Sequence, residues 1–175
     1  MSTLTESLTP YIGMKSDVVV ACDAVEGGAV RRFAQATMDE RAIYGPAGAD
    51  SRYRAPVAPP LYPALMFRRP LGVPDPVQIH ADDPDWDGNA AAGTAGLPPI
   101  EPLREHSVLN GGAEVELYRY ARHGEQVSMQ SRYADIYEKV GRKGPMVLVI
   151  LEGEYRTLDS ELLLRIRRTY IWSRM

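Results

Sequence analysis

Apolar residues recur along this chain first at helical and later at strand spacing, and the change divides it into three zones. In the first, Thr9 to about Leu71, the run Asp17 to Cys22 (DVVVAC) predicts a short strand. Asp23 follows as an N-cap with Glu26 three residues on, the D-x-x-E form of a capping box. Val30, Phe33, Ala34 and Thr37 then fall at i, i+3, i+4 and i+7, with Arg31, Arg32, Gln35 and Glu40 between them. That spacing predicts one amphipathic helix over roughly Ala24 to Met38. Gly27 and Gly28 weaken its first turn by up to ~1 kcal/mol each relative to alanine. Close approach of another backbone would explain them.

A polar connection, Asp39 to Arg54, leads into Ala55-Pro-Val-Ala-Pro-Pro60. Residues before proline are pushed towards extended conformations, so this segment reads as rigid and extended. Leu61 to Arg69 fits a short helix or a strand. The second zone, 72–102, carries Pro74, Pro76, Pro84, Pro98, Pro99 and Pro102, the aspartates Asp82, Asp83, Asp85 and Asp87, and the small residues Ala90 to Gly96. Such a stretch buries little apolar surface and reads as a long loop anchored by Trp86.

The third zone reads as strands. Val115 and Leu117 suggest one. Gln126 to Lys139 places Val127, Met129, Ser131, Tyr133, Asp135 and Tyr137 on one face. Met146 to Thr157 and Leu162 to Trp172 follow, separated by the turns Gly141–Pro145 and Leu158–Glu161. Short turns between long strands mean antiparallel neighbours. Strands of ~10–12 residues exceed the usual length and suit a curved sheet. The fold class is therefore α+β, a single domain over 1–175 in which a long antiparallel sheet wraps one central helix. One helix leaves much of such a sheet bare, so a second chain is expected against it.

Composition narrows the function classes. The 175 residues carry 20 basic and 23 acidic side chains, a formal charge of -3, which argues against nucleic acid as a partner. No apolar run approaches the ~18 residues of a membrane span, and the first residues lack the pattern of a signal peptide. Cys22 is the one cysteine, read as a small buried hydrophobe in a reducing, cytoplasmic setting. His80, His106 and His123 are scattered, so no metal set forms and no cofactor is implied. Arg165 and Arg167 share one strand face, and Arg168 and Arg174 the other.

Three segments carry a family resemblance. They are Arg31-Arg-Phe-Ala-Gln-Ala-Thr-Met-Asp39 with Tyr44 and Ala58-Pro-Pro60; Leu109-Asn-Gly-Gly112 with Glu114 and Glu116; and Tyr133-Ala-Asp-Ile-Tyr-Glu138 with Gly141-Arg-Lys-Gly-Pro-Met146. Their order and spacing, from Tyr11 to Trp172, resemble the MaoC-like dehydratases. The resemblance implies a hot-dog fold and reversible hydration of a 2-enoyl-CoA to a 3-hydroxyacyl-CoA. Active members carry a segment like G-D-x-N-P-x-H after the central helix, whose aspartate and histidine hold and activate water. Here Asp39 falls on that aspartate and Tyr44 on that histidine, and the Asn-Pro pair is lost. A tyrosine, with a pKa near 10, is a poor base at neutral pH.

The resemblance thus implies a degenerate, substrate-binding subunit whose partner, a second MaoC-like hot-dog chain in a heterodimer or heterotetramer, supplies the Asp/His pair. Tyr44, Pro59, Pro60, Asn110, Gly111 and Gly112 become substrate-binding candidates, with Arg165 and Arg167 for the phosphates of CoA. Three other functions compete: an acyl-CoA thioesterase, a non-enzymatic acyl-CoA-binding module, and a standalone homodimeric hydratase using Asp39.

Overall fold

The computed structural model describes residues 3–74, 76–84, 96–142 and 144–174. Its secondary structure runs α1 (Thr3–Leu8), β1 (Val19–Val20), α2 (Gly27–Ala36), α3 (Pro76–Ile79), β2 (Ser107–Leu117), β3 (Val127–Gly141), β4 (Gly144–Thr157) and β5 (Leu162–Ser173). The five strands form one antiparallel sheet in the order β1-β3-β4-β5-β2. Consecutive β3, β4 and β5 make the expected meander. β2 returns to the far edge, beside β5. Among the described residues no helix is long and apolar enough to cross a membrane.

α2 packs through Val30 and Ala34 onto Val127, Tyr155, Leu164 and Ile166 of the inner sheet face. Ten residues of helix extend roughly 15 Å, whereas the fifteen of β3 extend roughly 50 Å, so α2 covers only part of that face. The rest is covered from within the chain. Leu8, Leu97, Ile100 and Leu103 bury Tyr133, Ile136, Val147, Val149 and Leu151 in a second cluster. The Tyr133 hydroxyl donates to the Pro98 carbonyl at 2.9 Å and ties this cover down. The end of the 72–102 segment is therefore a packed part of the core, contrary to its reading as a loop burying little apolar surface. Trp86, Asp85, Asp87 and most of the run of small residues lie outside the described residues.

Four local readings are corrected. The helix begins at Gly27 rather than Ala24, its N-cap is Glu26, and that side chain makes no cap hydrogen bond. Asp23 cannot cap it because Val25 is engaged elsewhere: its N–H donates to Glu125 and its carbonyl accepts from Gly124. Thr37 lies exposed past the helix end, its hydroxyl donating back to Phe33 at 3.0 Å. In β3 the register shifts between Tyr133 and Asp135. One extra residue reverses the parity, so Ile136 turns inward and Tyr137 outward. Cys22 is exposed rather than buried, at the end of the β1 segment.

The predicted strand Asp17 to Cys22 shortens to Val19–Val20, and Leu61 to Arg69 contains a 3-10 turn at Tyr62–Leu65. The outer sheet face carries a ladder of charges. Glu152, with a side chain 5% exposed, receives Arg132 at 2.7 Å from β3 and Arg167 at 3.4 Å from β5. Replacing Glu152 by Gln should lower stability by about 1–3 kcal/mol, the cost of weakening buried charge-assisted bonds, read by urea denaturation.

α2 ends in a Schellman motif. The Met38 N–H donates to Gln35 and the Asp39 N–H to Ala34, with Met38 in the left-handed region at φ 54. A side chain there is strained where glycine is not. Met38 is exposed and buries nothing. Met38→Gly should raise stability by about 0.5–1 kcal/mol, visible as a higher melting temperature.

Candidate active site

Beyond the Schellman turn the chain must pass from α2 to the extended segment at Val57. It does so through two 3-10 turns, Ala42–Tyr44 and Pro46–Asp50. Gly48 lets the second turn lie flat on that segment: a Cβ there would stand 2.5 Å from the Ile43 carbonyl oxygen and 2.7 Å from the Pro56 Cα. The Val57 N–H donates to Ile43, and Ala58 to Ala121. A cleft of about 500 Å³ opens between α2 and this connection. Gly27, Arg31 and Ala34 line it from the helix, Arg41, Ala42 and Tyr44 from the first turn, and Pro56 and His123 from behind.

Asp39 and Tyr44 meet here, with Arg41 closing the group. The Arg41 guanidinium donates to both carboxylate oxygens of Asp39, at 2.8 and 2.7 Å. The Tyr44 hydroxyl donates to Asp39 at 2.9 Å and itself accepts from Arg41. The guanidinium lies 5.1 Å from the centre of the Tyr44 ring.

The electrostatics follow from this geometry. The Arg41 hydrogen bonds hold the Asp39 carboxyl below its ordinary value of 3.8. Burial, reinforced by the Asp39 carboxylate, pushes the Tyr44 hydroxyl well above its ordinary 10. Asp39 is thus a weak base with its oxygens occupied, and Tyr44 holds its proton. At neutral pH the group offers water only this weak, already paired carboxylate as a base.

The other predicted residues lie elsewhere. Pro59 is buried and Pro60 half-buried in the extended segment, and neither lines the cleft, whose proline from that stretch is Pro56. Asn110, Gly111 and Gly112 form an irregularity in edge strand β2, where the pairing with β5 shifts between Asn110 and Ala113. The Asn110 side chain accepts from the Gly112 N–H at 2.9 Å. A Cβ at Gly111 would lie 3.0 Å from Thr169, so a larger residue would push the strands apart. Arg165 and Arg167 sit on the outer face with carboxylates as partners. Arg165 reaches Glu154 at 2.9 Å and Glu116 at 3.1 Å, and both arginines reach Glu152. Among the described residues no group of three or more His, Cys, Asp or Glu could hold a metal ion.

His123 is the cleft residue that sequence reasoning missed. Its ring packs against Gly27, where a Cβ would stand 3.2 Å from Nδ1. Gly27 was the available signal, and the close approach it marks is made by the His123 side chain rather than by another backbone.

A model of the family described as "FAS1-like, dehydratase domain region" matches residues 11–164. The chain belongs to the FAS1-like dehydratases. No curated protein sequence matches it. Solved structures share the fold of this chain, the hot-dog of the MaoC-like proteins. The ChsH1-ChsH2 complex from Mycobacterium tuberculosis contains a chain 19% identical with a TM-score of 0.68, covering 96% of this chain and 89% of that one. A MaoC-like dehydratase from Rhodospirillum rubrum is 16% identical with a TM-score of 0.60, covering 94% and 93%. A chain of the HadBC (3R-hydroxyacyl-ACP dehydratase) complex from Mycobacterium tuberculosis is 16% identical with a TM-score of 0.56, covering 92% and 96%. In this dehydratase-family chain the glycine of G-D-x-N-P-x-H falls on Met38 and the asparagine on Arg41.

Burial also holds the His123 imidazole below its ordinary value of 6.5, with a Val57 backbone contact pulling partly the other way. A histidine buried neutral binds fewer protons folded than unfolded. Its contribution is complete above about 6.5 and is lost as pH falls through the window below. Stability should therefore decline from pH 6.5 towards pH 5, and His123→Gln should flatten that slope in denaturation midpoints taken across the window.

Proposed function

We propose that this chain is the acyl-CoA-binding, non-catalytic subunit of a heteromeric 2-enoyl-CoA hydratase (3-hydroxyacyl-CoA dehydratase). A second MaoC-like hot-dog chain supplies the Asp/His pair. The observation that carries the reading is the closed Asp39–Arg41–Tyr44 group. Hydration needs a base to take a proton from water as its oxygen bonds to the β-carbon, and a proton returned to the α-carbon. The two positions that do this in active relatives are here locked to each other and to a cation. Water and proton transfers complete the reaction, so no cofactor enters. A cytoplasmic setting suits the exposed thiol of Cys22.

The sheet edges support a partner. β1, at one edge, pairs over two residues, whereas β2, at the other, is eleven residues long and exposed along nearly all its length. Leu109, Val115 and Leu117 are among its exposed side chains. A long exposed edge that carries these apolar side chains and no proline, with Glu114 and Glu116 as its only charges, is a surface for a second chain. Two of the structural relatives are complexes, ChsH1-ChsH2 and HadBC.

The test is hydration of a short and a bulky 2-enoyl-CoA by the purified chain, and by the chain co-expressed with the neighbouring hot-dog reading frame of its genome. Activity is expected only in the complex. Turnover by the lone chain would overturn the reading, and release of free CoA thiol would replace it with a thioesterase. The lock makes a sharper prediction. In the lone chain Tyr44→His should leave hydration at background, because Arg41 still occupies Asp39. Adding Arg41→Asn should raise it by about 100-fold or more, the range that a positioned base contributes.

A further inference from the structure

The outer face of the sheet carries its charges in rows that run across the strands, and the rows stop at β2. In one, Arg132 of β3 stands opposite Glu152 of β4, Glu152 opposite Arg167 of β5, and Arg167 opposite Glu114 of β2. In the next, Glu154 stands opposite Arg165, and Arg165 opposite Glu116. The sign alternates at each step, and each row ends on an exposed glutamate with an open side. Arg165 holds Glu116 at 3.1 Å. Among the described residues Glu114 makes no ion pair; Arg167 turns to Glu152 instead, at 3.4 Å.

A second copy of β2 cannot continue these rows, because Ser107–Leu117 contains no lysine, arginine or histidine. The irregularity between Asn110 and Ala113 divides the strand into two regular halves. The extra residue reverses the parity, so Ser107 and Leu109 share the outer face with Glu114 and Glu116. Antiparallel pairing of the second half with itself sets glutamate opposite glutamate. Pairing of the second half with the first sets Glu114 opposite Leu109 and Glu116 opposite Ser107. Like charges directly opposite one another destabilise a strand pair, and opposite charges stabilise it. The other edge of the sheet, β1, is two residues long and offers a head-to-tail copy little strand to join.

We propose that β2 pairs with the edge strand of a different chain that carries arginine or lysine on its outer face, opposite Glu114 and Glu116, and that the two glutamates disfavour pairing of this chain with itself. The inference rests on the heteromeric reading above and adds to it the feature by which the partner is chosen. Leu109, Val115 and Leu117 would adhere to any apolar edge; the charges supply the choice.

A copy carrying Glu114→Arg and Glu116→Arg presents the basic edge that the proposal requires, and it serves as the probe. Native mass spectrometry and analytical sedimentation at low salt then compare the wild-type chain, the charge-reversed copy and their equimolar mixture. The mixed dimer should have a Kd about tenfold or more below that of either homodimer, since glutamate–glutamate and arginine–arginine oppositions become glutamate–arginine ones. The difference should shrink as salt is raised towards about 1 M. Where the charge-reversed copy fails to fold, Glu114→Gln with Glu116→Gln takes its place. It keeps a hydrogen-bonding group beside Arg165 and should self-associate more tightly than wild type at low salt. Wild-type self-association as tight as the mixed dimer, the absence of a mixed dimer, or a glutamine variant that self-associates no better than wild type would each overturn the proposal. Hydration by the co-expressed complex decides the subunit reading separately. A complex that is active, and that assembles equally well with the double-arginine variant, overturns the proposal alone.

Discussion

A short helix against a long sheet is the constraint from which the rest of this structure follows. α2 shields only part of the inner face, and bare apolar strand surface costs about 25 cal/mol for each Å² left in water. The chain meets this with two clusters. One lies under α2 and contains Val30, Ala34, Tyr155 and Leu164; the other lies under α1 and residues 97–103. The division places the cleft. It opens where the helix ends and the chain must cross to Val57 before the second cover begins.

That crossing decides the chemistry. A carboxylate next to an arginine is stabilised as an anion, and a tyrosine donating to that carboxylate is stabilised as a neutral phenol. Each member of the Asp39–Arg41–Tyr44 group thus makes the others less reactive. A working acid–base pair at these positions would need a base in place of Tyr44 as well as an uncharged residue in place of Arg41. On the outer sheet face the same principle runs in register: Glu152 and Glu154 of β4 stand between arginines of the neighbouring strands. There it is structural, and it commits Arg165 and Arg167 to carboxylates on the face away from α2.

The parts of this fold that depend on local pattern were legible in the sequence. The 3.6 spacing of Val30, Phe33 and Ala34 locates α2, and Gly141–Pro145 and Leu158–Glu161 separate β3, β4 and β5. Asp39 and Tyr44 were named together through the family resemblance, and five residues and one turn bring them into contact. Long-range facts were not. Nothing near Asp23 says that the Val25 backbone is bound to Gly124 and Glu125, so the helix start was misplaced. The extra residue after Tyr133 has no signature of its own, and it reversed the inward face of half a strand. His123 reaches the cleft through a turn 96 residues from Gly27, and no spacing rule spans that distance.

The second cluster sets the order in which the molecule can be made. Leu8 lies in it, and Trp172 packs against its edge, so it joins residues that lie far apart along the chain. While a ribosome is still adding β5, the inner faces of β3 and β4 have only part of their cover. Their apolar side chains are then open to whatever the nascent chain meets first. A chain of this design completes its core only once β5 has paired and the closing contacts of Trp172 are in place.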